Sequence, residues 1–207
     1  MEETILEVKD LKKYFHSPKG TVHAVDGVSF SVKKGKTLGV VGESGCGKST
    51  TGRVITRLLE PTSGTILFRG QDITQLRGRD LKELRQKIQI IFQDPFSSLN
   101  PRMTVSQLIA EPIRLNGLIT GRGKEARIEQ RVLELMDTVG LARRLYNVYP
   151  HELDGGRRQR IGIARALAME PEFIVCDEPV SALDVSIQAQ ILNLLKDLQQ
   201  EMGLTYL

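Results

Sequence analysis

A glycine-rich stretch, GESGCGKST, occupies residues 42–50 between an apolar run and a segment of helical pattern. It fits the pattern G-x-x-x-x-G-K followed by Ser or Thr, in which glycines let the backbone close around phosphate groups. Lys48 would reach the β- and γ-phosphates, and Ser49 would coordinate Mg²⁺. A plain glycine-rich turn is the alternative, but it would not require the lysine, the serine, the strand and the helix together. The predicted nucleotide-binding residues are Gly42, Glu43, Ser44, Gly45, Cys46, Gly47, Lys48, Ser49 and Thr50.

A pair of acids follows the apolar run FIVC at residues 173–176. We expect Asp177 to hold Mg²⁺ through water and Glu178 to polarise the attacking water. An acidic pair is also a common end for a strand that leads into a turn, so its weight rests on the phosphate loop in the same chain. Together the two motifs predict a nucleoside triphosphate hydrolase. ATP is favoured over GTP because no guanine-reading N-K-x-D sequence is present.

Three further segments carry a family resemblance. HELDGGRRQRIGIARAL, residues 151–167, resembles the signature motif of ATP-binding cassette (ABC) proteins, which is usually L-S-G-G-Q. Gln93 in IIFQDP resembles the Q-loop glutamine, and SALD at 181–184 resembles the D-loop. The resemblance covers the whole chain. The segments IFQDPFSSLNPRMTV and CDEPVSALDVSIQAQILNLL are similar in particular to ATPase subunits of oligopeptide and dipeptide importers.

The resemblance implies a role for each matching residue. It implies that the catalytic residues are Lys48, Gln93 and Glu178, and that Mg²⁺ is held by Ser49, Gln93 and Asp177. The further nucleotide contacts that it implies, including an aromatic residue stacked on adenine, are Tyr14 or Phe15, Asp154, Gly155, Gly156 and Asp184. The histidines His16, His23 and His151 are expected to lie in loops or at a helix entry rather than to act in catalysis.

The signature departs from the family pattern at two positions. Asp154 stands where Ser is usual, and Arg157 stands where Gln is usual. Both Ser and Asp cap helix N-termini well, so Asp154 can be a simple cap that accepts from the N–H of Gly156 or Arg157. A carboxylate facing a γ-phosphate would instead be repelled, and Arg157 and Arg158 are candidates to neutralise it.

The elements that must position these residues alternate between strand and helix patterns. Strands are predicted at 5–11, 36–41, within 62–70, within 171–179 and from residue 204. Helices are predicted at 48–61, at 104–115 with an interruption near Pro112, at 125–140, at 156–169 and up to Gly203. Buried faces are expected from Ile128, Val132, Leu135, Met136 and Val139, and from Ile187, Ile191, Leu194, Leu195, Leu198 and Met202.

These elements, with the resemblance, predict an α/β fold of the P-loop NTPase (RecA-like) type. The resemblance adds an ABC antiparallel β-subdomain and an inserted helical subdomain. We expect one ABC nucleotide-binding domain over 1–207, with 1–96 and 164–207 as core and β-subdomain and 97–163 as helical subdomain. In the family a switch histidine follows the strand that LTYL begins, so a C-terminally truncated domain with weak hydrolysis is expected.

Composition sets broad limits on the class of protein. The chain has 207 residues, of which 40% are hydrophobic, and its net charge of +4 is too small to identify a partner. Cys46 and Cys176 lie far apart, which is typical of a reducing compartment. The N-terminus lacks the apolar core of a signal peptide, and no apolar run approaches the roughly 18 residues of a membrane span.

The resemblance implies an ATPase that drives an importer from the cytoplasmic face of the membrane. Its expected partners are a second ABC ATPase subunit, identical or different and arranged head to tail, two permease subunits and, indirectly, a solute-binding protein, but no nucleic acid. Nickel import, a soluble non-transport ABC ATPase and a nucleotide-binding module with little hydrolysis remain open. A DNA-repair type ATPase is disfavoured because the roughly 60 residues between Gln93 and Asp154 are too few for a long coiled coil.

Overall fold

The computed structural model describes residues 3–18 and 20–207. The chain divides into two compact units. The first comprises Met1–Ile90, Glu172–Asp177 and Gln199–Leu207, and the second comprises Ile91–Pro171 and Glu178–Leu198. Each unit is interrupted in sequence by the other, so the phosphate loop and the signature segment fall into different units.

An antiparallel sheet forms one part of the first unit. Its strands are β1 (Thr4–Ser17), β2 (Gly20–Lys33), β3 (Ser63–Phe68) and β4 (Gln71–Asp72), in the order β2-β1-β3-β4. β1 extends beyond the predicted 5–11 because it pairs with β2 as far as Ser17 opposite Gly20. Ile5, Leu6 and Val8 of β1 are buried, and so is Ile66 of β3. This sheet is the antiparallel β-subdomain that the sequence predicts.

A second sheet of the first unit carries the acidic strand. Its strands are β5 (Ile88–Ile91), β6 (Phe173–Cys176) and β7 (Thr205–Tyr206), in the order β5-β6-β7. β6 and β7 are parallel, which is the arrangement expected of an α/β core. The helices of this unit are α1 (Lys48–Ile55), α2 (Gly78–Lys87) and the last turn of a long helix that ends at Met202.

The prediction of a strand at 36–41 is wrong for most of these residues. Thr37 forms an isolated parallel bridge with Tyr206, and the N–H of Leu38 donates to the Tyr206 carbonyl at 3.0 Å. Beyond this point the segment has no strand partner among the residues that the structure describes, and Val40 and Val41 are 46% and 96% exposed. An apolar run forms a strand only where a neighbouring backbone pairs with it, and within the described residues the pairing of this run is confined to 36–38, which meet Tyr206.

α1 ends at Ile55, well before Pro61, where the sequence predicted its end. The hydroxyl of Thr56 donates to the carbonyls of Gly52 and Arg53 at 3.1 and 3.2 Å. Arg57 then adopts a left-handed conformation with φ of 56°. Carbonyl groups at the helix end are satisfied by the threonine side chain, and a left-handed residue stops the helix.

The second unit consists of helices. They are α3 (Pro95–Ser98), α4 (Val105–Asn116), α5 (Lys124–Thr138), α6 (Gly155–Leu167) and the first part of α7 (Val185–Met202), with short 3₁₀ turns at Arg143–Leu145 and Pro150–Glu152. Thr104 and Gln107 form a capping box at the start of α4. The predicted interruption near Pro112 is wrong, because α4 continues through this residue. Burial of Leu108, Ile109 and Ile113 on the same helix stabilises it against the one hydrogen bond that proline removes.

The predicted apolar faces of the long helices are largely confirmed. Ile128, Val132, Leu135 and Met136 of α5 are all buried, and so is Val139 just after it. In α7 the buried residues are Ile191, Leu195 and Leu198, whereas Met202 is 42% exposed. Within the described residues, none of the helices combines the length and the apolar character that crossing a membrane requires.

Candidate nucleotide-binding site

The phosphate loop ends in a glycine at which any Cβ atom would clash with the backbone. Gly47 precedes the first residue of α1 and has φ of 97°. A Cβ atom added there would lie 2.0 Å from the carbonyl oxygen of Ala24. The close approach of loop and β2 therefore fixes where α1 begins. No acidic side chain lies in the first turn of α1, so its N-terminus offers backbone N–H groups and a favourable dipole to an anion.

Two side chains of the first turn of α1 are held by specific hydrogen bonds. The Nζ of Lys48 donates to the carbonyls of Gly42 and Glu43 at 2.9 and 3.0 Å, which places the ammonium group over the loop. The hydroxyl of Ser49 donates to Oδ1 of Asp177 at 2.6 Å. The structure thus brings together the predicted phosphate ligand and the two predicted Mg²⁺ ligands of this unit.

Packing between α1 and β6 positions the serine next to the acid. A Cβ atom on Gly52 would lie 2.7 Å from Cγ1 of Val175, so the helix and the strand are as close as glycine allows. Asp177 follows β6 directly and is buried. A buried carboxylate that accepts from a hydroxyl supplies the hard oxygen ligands that Mg²⁺ prefers. The residues present therefore fit a phosphate group with its Mg²⁺.

In the second unit, Gln93 contacts the predicted general base. Its Nε2 donates to Oε2 of Glu178 at 2.8 Å and to the hydroxyl of Ser181 at 3.1 Å. Glu178 has φ of 47°, a left-handed conformation that glutamate rarely adopts. The three residues come from three different motifs of the sequence, the Q-loop, the acidic pair and the D-loop, and the fold gathers them into one hydrogen-bonded cluster.

Asp154 caps the signature helix and pairs with an arginine. Its Oδ1 accepts from the N–H of Arg157 at 2.8 Å, and its Oδ2 lies 3.2 Å from Nη1 of the same residue. The predicted cap is therefore present, and Arg157 rather than Arg158 is its charge partner. Gly155 and Gly156 follow the cap, and Cβ atoms there would lie 2.9 Å from Leu183 and 2.6 Å from Ile187.

Comparison with known proteins identifies the family. The family model described as ABC transporter matches residues 25–181, which is more than half of the chain. This chain belongs to the ABC transporter family. The oligopeptide transport ATP-binding protein OppF of Bacillus subtilis (strain 168) is 59% identical to it over 208 residues, covering 100% of this chain and 67% of the relative. AppF of the same organism, which carries the same description, is 56% identical and is covered to 64%.

Solved structures of ABC cassettes share the fold. A dimeric structure of the ATP-binding cassette MJ0796 in a post-hydrolysis state, bound to ADP and Pi, has a TM-score of 0.84 and 31% sequence identity, with coverage of 98% of this chain and 86% of that one. A nucleotide-free cassette from an ABC transporter has a TM-score of 0.79 and 28% identity, with coverage of 98% and 79%. These likenesses confirm the predicted ABC fold class.

The aromatic residues expected at adenine occupy the hairpin of β1 and β2. Tyr14 stacks on His23 with ring centroids 4.0 Å apart, and its hydroxyl donates to Oδ1 of Asp26 at 2.5 Å. This hydrogen bond raises the pKa of Tyr14 and lowers that of Asp26. Phe15 is 40% exposed. No local sequence pattern predicts the contacts of Tyr14, because they depend on the register of two strands.

Asp184 and Arg158 both belong to the second unit and have partners within it. Asp184 is exposed and directly precedes α7, where its carbonyl accepts from the N–H of Gln188 at 2.8 Å. Arg158, which the sequence placed beside Asp154, instead donates through Nε to the Pro150 carbonyl at 2.6 Å. Its guanidinium carbon lies 3.5 Å from the ring centroid of Phe96. No sequence motif predicts this contact.

Proposed function

We propose that the chain binds Mg-ATP and hydrolyses ATP to ADP and phosphate as the motor subunit of a peptide importer. The observation that carries the proposal is the 2.6 Å hydrogen bond from Ser49 to Asp177, made at a phosphate loop whose lysine lies over it. The oxygen atoms of Ser49 and Asp177, the ammonium group of Lys48 and the N-terminus of α1 therefore all lie at the phosphate loop of the first unit. The names of the relatives support peptides as the transported solute.

Each residue of the phosphate loop has a distinct task in this proposal. Lys48 would leave the carbonyls of Gly42 and Glu43 and bind the β- and γ-phosphates. Ser49 would exchange its hydrogen bond to Asp177 for direct coordination, and Asp177 would hold the ion through water. Mg²⁺, when bound, neutralises the charge that develops on the phosphates.

Glu178 and Gln93 would act on water. Glu178 would accept a hydrogen bond from the attacking water and orient it, because a carboxylate within hydrogen-bonding distance of water can act as a general base. Gln93 donates its amide N–H to Glu178, which keeps the carboxylate in one orientation. The amide oxygen of Gln93 would serve as its ligand to Mg²⁺, as the family resemblance implies.

The remaining nucleotide contacts and the partners follow from the family. Tyr14 or Phe15 would stack on adenine, and Asp154, Gly155, Gly156 and Asp184 would face the nucleotide of a second ATPase subunit placed head to tail. The dimeric cassette among the structural neighbours supports this pairing. Two permease subunits would anchor the ATPase peripherally at the inner face of the membrane, and a solute-binding protein would act through them.

Turnover and nucleotide binding, measured together, test the ATPase proposal. Replacing Glu178 with Gln should reduce phosphate release at least about 100-fold and leave ATP affinity within about threefold, because only the water loses its base. Lys48→Ala should instead weaken ATP binding itself. Glu129→Gln removes an exposed carboxylate of α5 and serves as the matched control. Undiminished phosphate release by Glu178→Gln would contradict the assignment.

Uptake by cells tests which solute is transported. The full-length protein, supplied to cells that lack their own importer ATPase of this type, should restore uptake of a radiolabelled tetrapeptide, and Glu178→Gln should not. Restored nickel uptake without peptide uptake would support the nickel alternative. Activity that needs no permease would support a soluble ABC ATPase.

A further inference from the structure

A cavity of about 300 Å³ lies in the first unit, away from the phosphate loop. One wall comes from residues 57–64, between α1 and the start of β3, and the other comes from residues 74–77, between β4 and α2. No residue of the phosphate loop, 42–50, lines it. Its volume is at the small end of the range for small-molecule sites.

Hydrogen bonds hold both walls of this cavity in place. The N–H of Thr62 donates to the Lys12 carbonyl at 2.8 Å, and its hydroxyl oxygen accepts from the N–H of Tyr14 at 2.8 Å. In the other wall, the hydroxyl oxygen of Thr74 accepts from the N–H of Ile66 at 2.8 Å. The cavity is therefore preformed, and a ligand would not have to order its walls on binding.

Charged groups of both signs line the cavity without pairing. Arg77 and Glu60 are exposed, and the side chain of neither forms a hydrogen bond or an ion pair within the described residues. Arg57 adds a positive charge that is 4% exposed, and it donates to the carbonyls of Ile73 and Leu76. Its Nε makes no hydrogen bond in the described structure. Arg77 and Glu60 are therefore available to a ligand.

The three charged residues lie close enough to act on one another. Burial lowers the pKa of Arg57, the charge of Glu60 raises it, and the charge of Arg77 lowers it further. Arg57 nevertheless stays charged, as arginines in proteins do. Glu60 and Arg77 thus act on the same buried cation but do not pair with each other, which favours a ligand over a structural ion pair as their partner.

We infer that this cavity binds a small zwitterion, a free amino acid or a short peptide, with its carboxylate at Arg77 and its ammonium group at Glu60. Glu60 would repel a simple anion, and the two arginines would repel a simple cation, whereas a molecule with both charges is attracted at both ends. A guanidinium group binds a carboxylate through two parallel hydrogen bonds. The hydroxyl of Ser63 and the amide of Gln75 also line the cavity and can bond to either end of such a ligand.

Binding of alanine and dialanine to the isolated full-length subunit, without nucleotide, tests the site. NMR titration of isotope-labelled protein gives the dissociation constants. N-acetylalanine keeps only the carboxylate and alaninamide only the ammonium group, so each should bind about fivefold or more weakly than alanine, for the loss of one charge-assisted contact. Tighter binding of dialanine than of alanine would identify a short peptide as the ligand, and the reverse order would identify a free amino acid.

Two substitutions in the cavity and two outside it make the test specific. Arg77→Gln and Glu60→Gln should each weaken binding of the zwitterion about fivefold or more. The Glu60 variant separates this site from a simple anion site, where removal of a carboxylate would strengthen binding. Arg79→Gln and Glu83→Gln remove the charges of an exposed ion pair on α2 that does not line the cavity, and they should leave binding unchanged.

Three results would overturn the proposal. They are the absence of saturable binding by either zwitterion, stronger binding after Glu60→Gln, and equal weakening by the control substitutions, which would reduce the effect to general surface charge. Because no nucleotide is present and no hydrolysis is measured, each of these failures would leave the proposed ATPase activity untouched.

Discussion

The two cysteines differ in the environment of the thiol. Cys46 lies exposed in the phosphate loop, next to Gly42. Burial raises the pKa of Cys176 to about 12, although part of that residue remains accessible. Since the thiolate is the reactive form, Cys176 stays protonated and unreactive at pH 8.

We therefore predict that iodoacetamide at pH 8 modifies only Cys46 in the folded chain, and modifies both cysteines after unfolding. Mg-ATP should slow the reaction of Cys46 at least about fivefold, because phosphate would occupy the loop around it. Peptide mass spectrometry identifies the modified residue, and Cys46→Ser provides the control. Native labelling of Cys176 would show that its thiol is less buried than the structure implies.

Single residues with a fixed chemical task could be predicted from sequence, but their neighbours could not. The positions of Ser49 and Asp177 follow from motif spacing, and the structure joins them by a hydrogen bond. Arg158 could not be placed in this way, because its partner Phe96 lies far away in sequence and reaches it only through the packing of α3 on α6. Contacts that depend on tertiary packing leave no local pattern.

At the scale of elements, the N-terminus of α6 carries a coupled pair of unusual residues. Asp154 both caps the helix and binds Arg157, so neither substitution acts alone. We predict that Asp154→Ser in the full-length subunit strengthens ATP-dependent dimerisation, because it removes a carboxylate from a helix end that would face phosphate. Arg157→Gln added to it should give a non-additive result.

Sedimentation and turnover of both single variants and the double variant measure this coupling. A coupling energy of about 0.5 kcal/mol or more is expected for residues in direct contact. If Asp154→Ser changes neither quantity and the two effects simply add, Asp154 is only a helix cap.

The contact of α3 with α6 provides a second prediction at this scale. Arg158 is buried between the Pro150 carbonyl and the face of Phe96, and its Nη1 makes no hydrogen bond in the described structure. The face of Phe96 therefore shares the stabilisation of this charge with the carbonyls of Pro150 and His151. Phe96→Leu should lower the free energy of unfolding by about 1 kcal/mol.

Urea denaturation of the chain measures this change. Phe92→Leu, a substitution of a partly exposed phenylalanine that forms no aromatic or cation–π contact in the described structure, should cost less. An equal loss of unfolding free energy in the two variants would show that apolar burial alone accounts for the effect of Phe96→Leu.

The bounds of a helix or strand could be predicted where its apolar residues form one buried face. They were harder to predict where strand pairing or local hydrogen bonds determine where the element ends. The apolar stripe of α5 predicts its buried face because helical spacing alone brings those residues together. Residues 36–41 have the composition of a strand, but a strand also needs a paired neighbour, and within the described residues only 36–38 pair, with Tyr206. The end of α1 was missed for a similar reason, since Thr56 and Arg57 end it by local contacts that no proline announces.

At the scale of the whole molecule, the fold class follows from the order of the motifs. The segment FSSLNPRMTV after Gln93 belongs to the second unit. We propose that a permease helix docks near it, as the ABC resemblance implies. We predict that cysteines placed at Ser97 or Met103 of the full-length subunit crosslink to a permease loop in membranes. Cysteines at Thr65 and Arg69, on and beside β3, serve as controls. Crosslinks found only at the control positions would refute this docking surface.

The left-handed backbone conformation of Glu178 lowers the stability of the fold at a residue that the proposed ATPase activity requires. For a residue with a Cβ atom this conformation costs about 1–2 kcal/mol, a cost that glycine does not incur. Alanine usually stabilises a protein more than glycine does, but here the order should reverse. Both Glu178→Ala and Glu178→Gly lose the carboxylate and its hydrogen bond to Gln93, so thermal unfolding of the two variants isolates the backbone cost. We expect the glycine variant to be the more stable by about 1 kcal/mol and to be as inactive as the alanine variant. Such a result would mean that selection keeps a glutamate at this position for turnover, at the expense of a more stable protein.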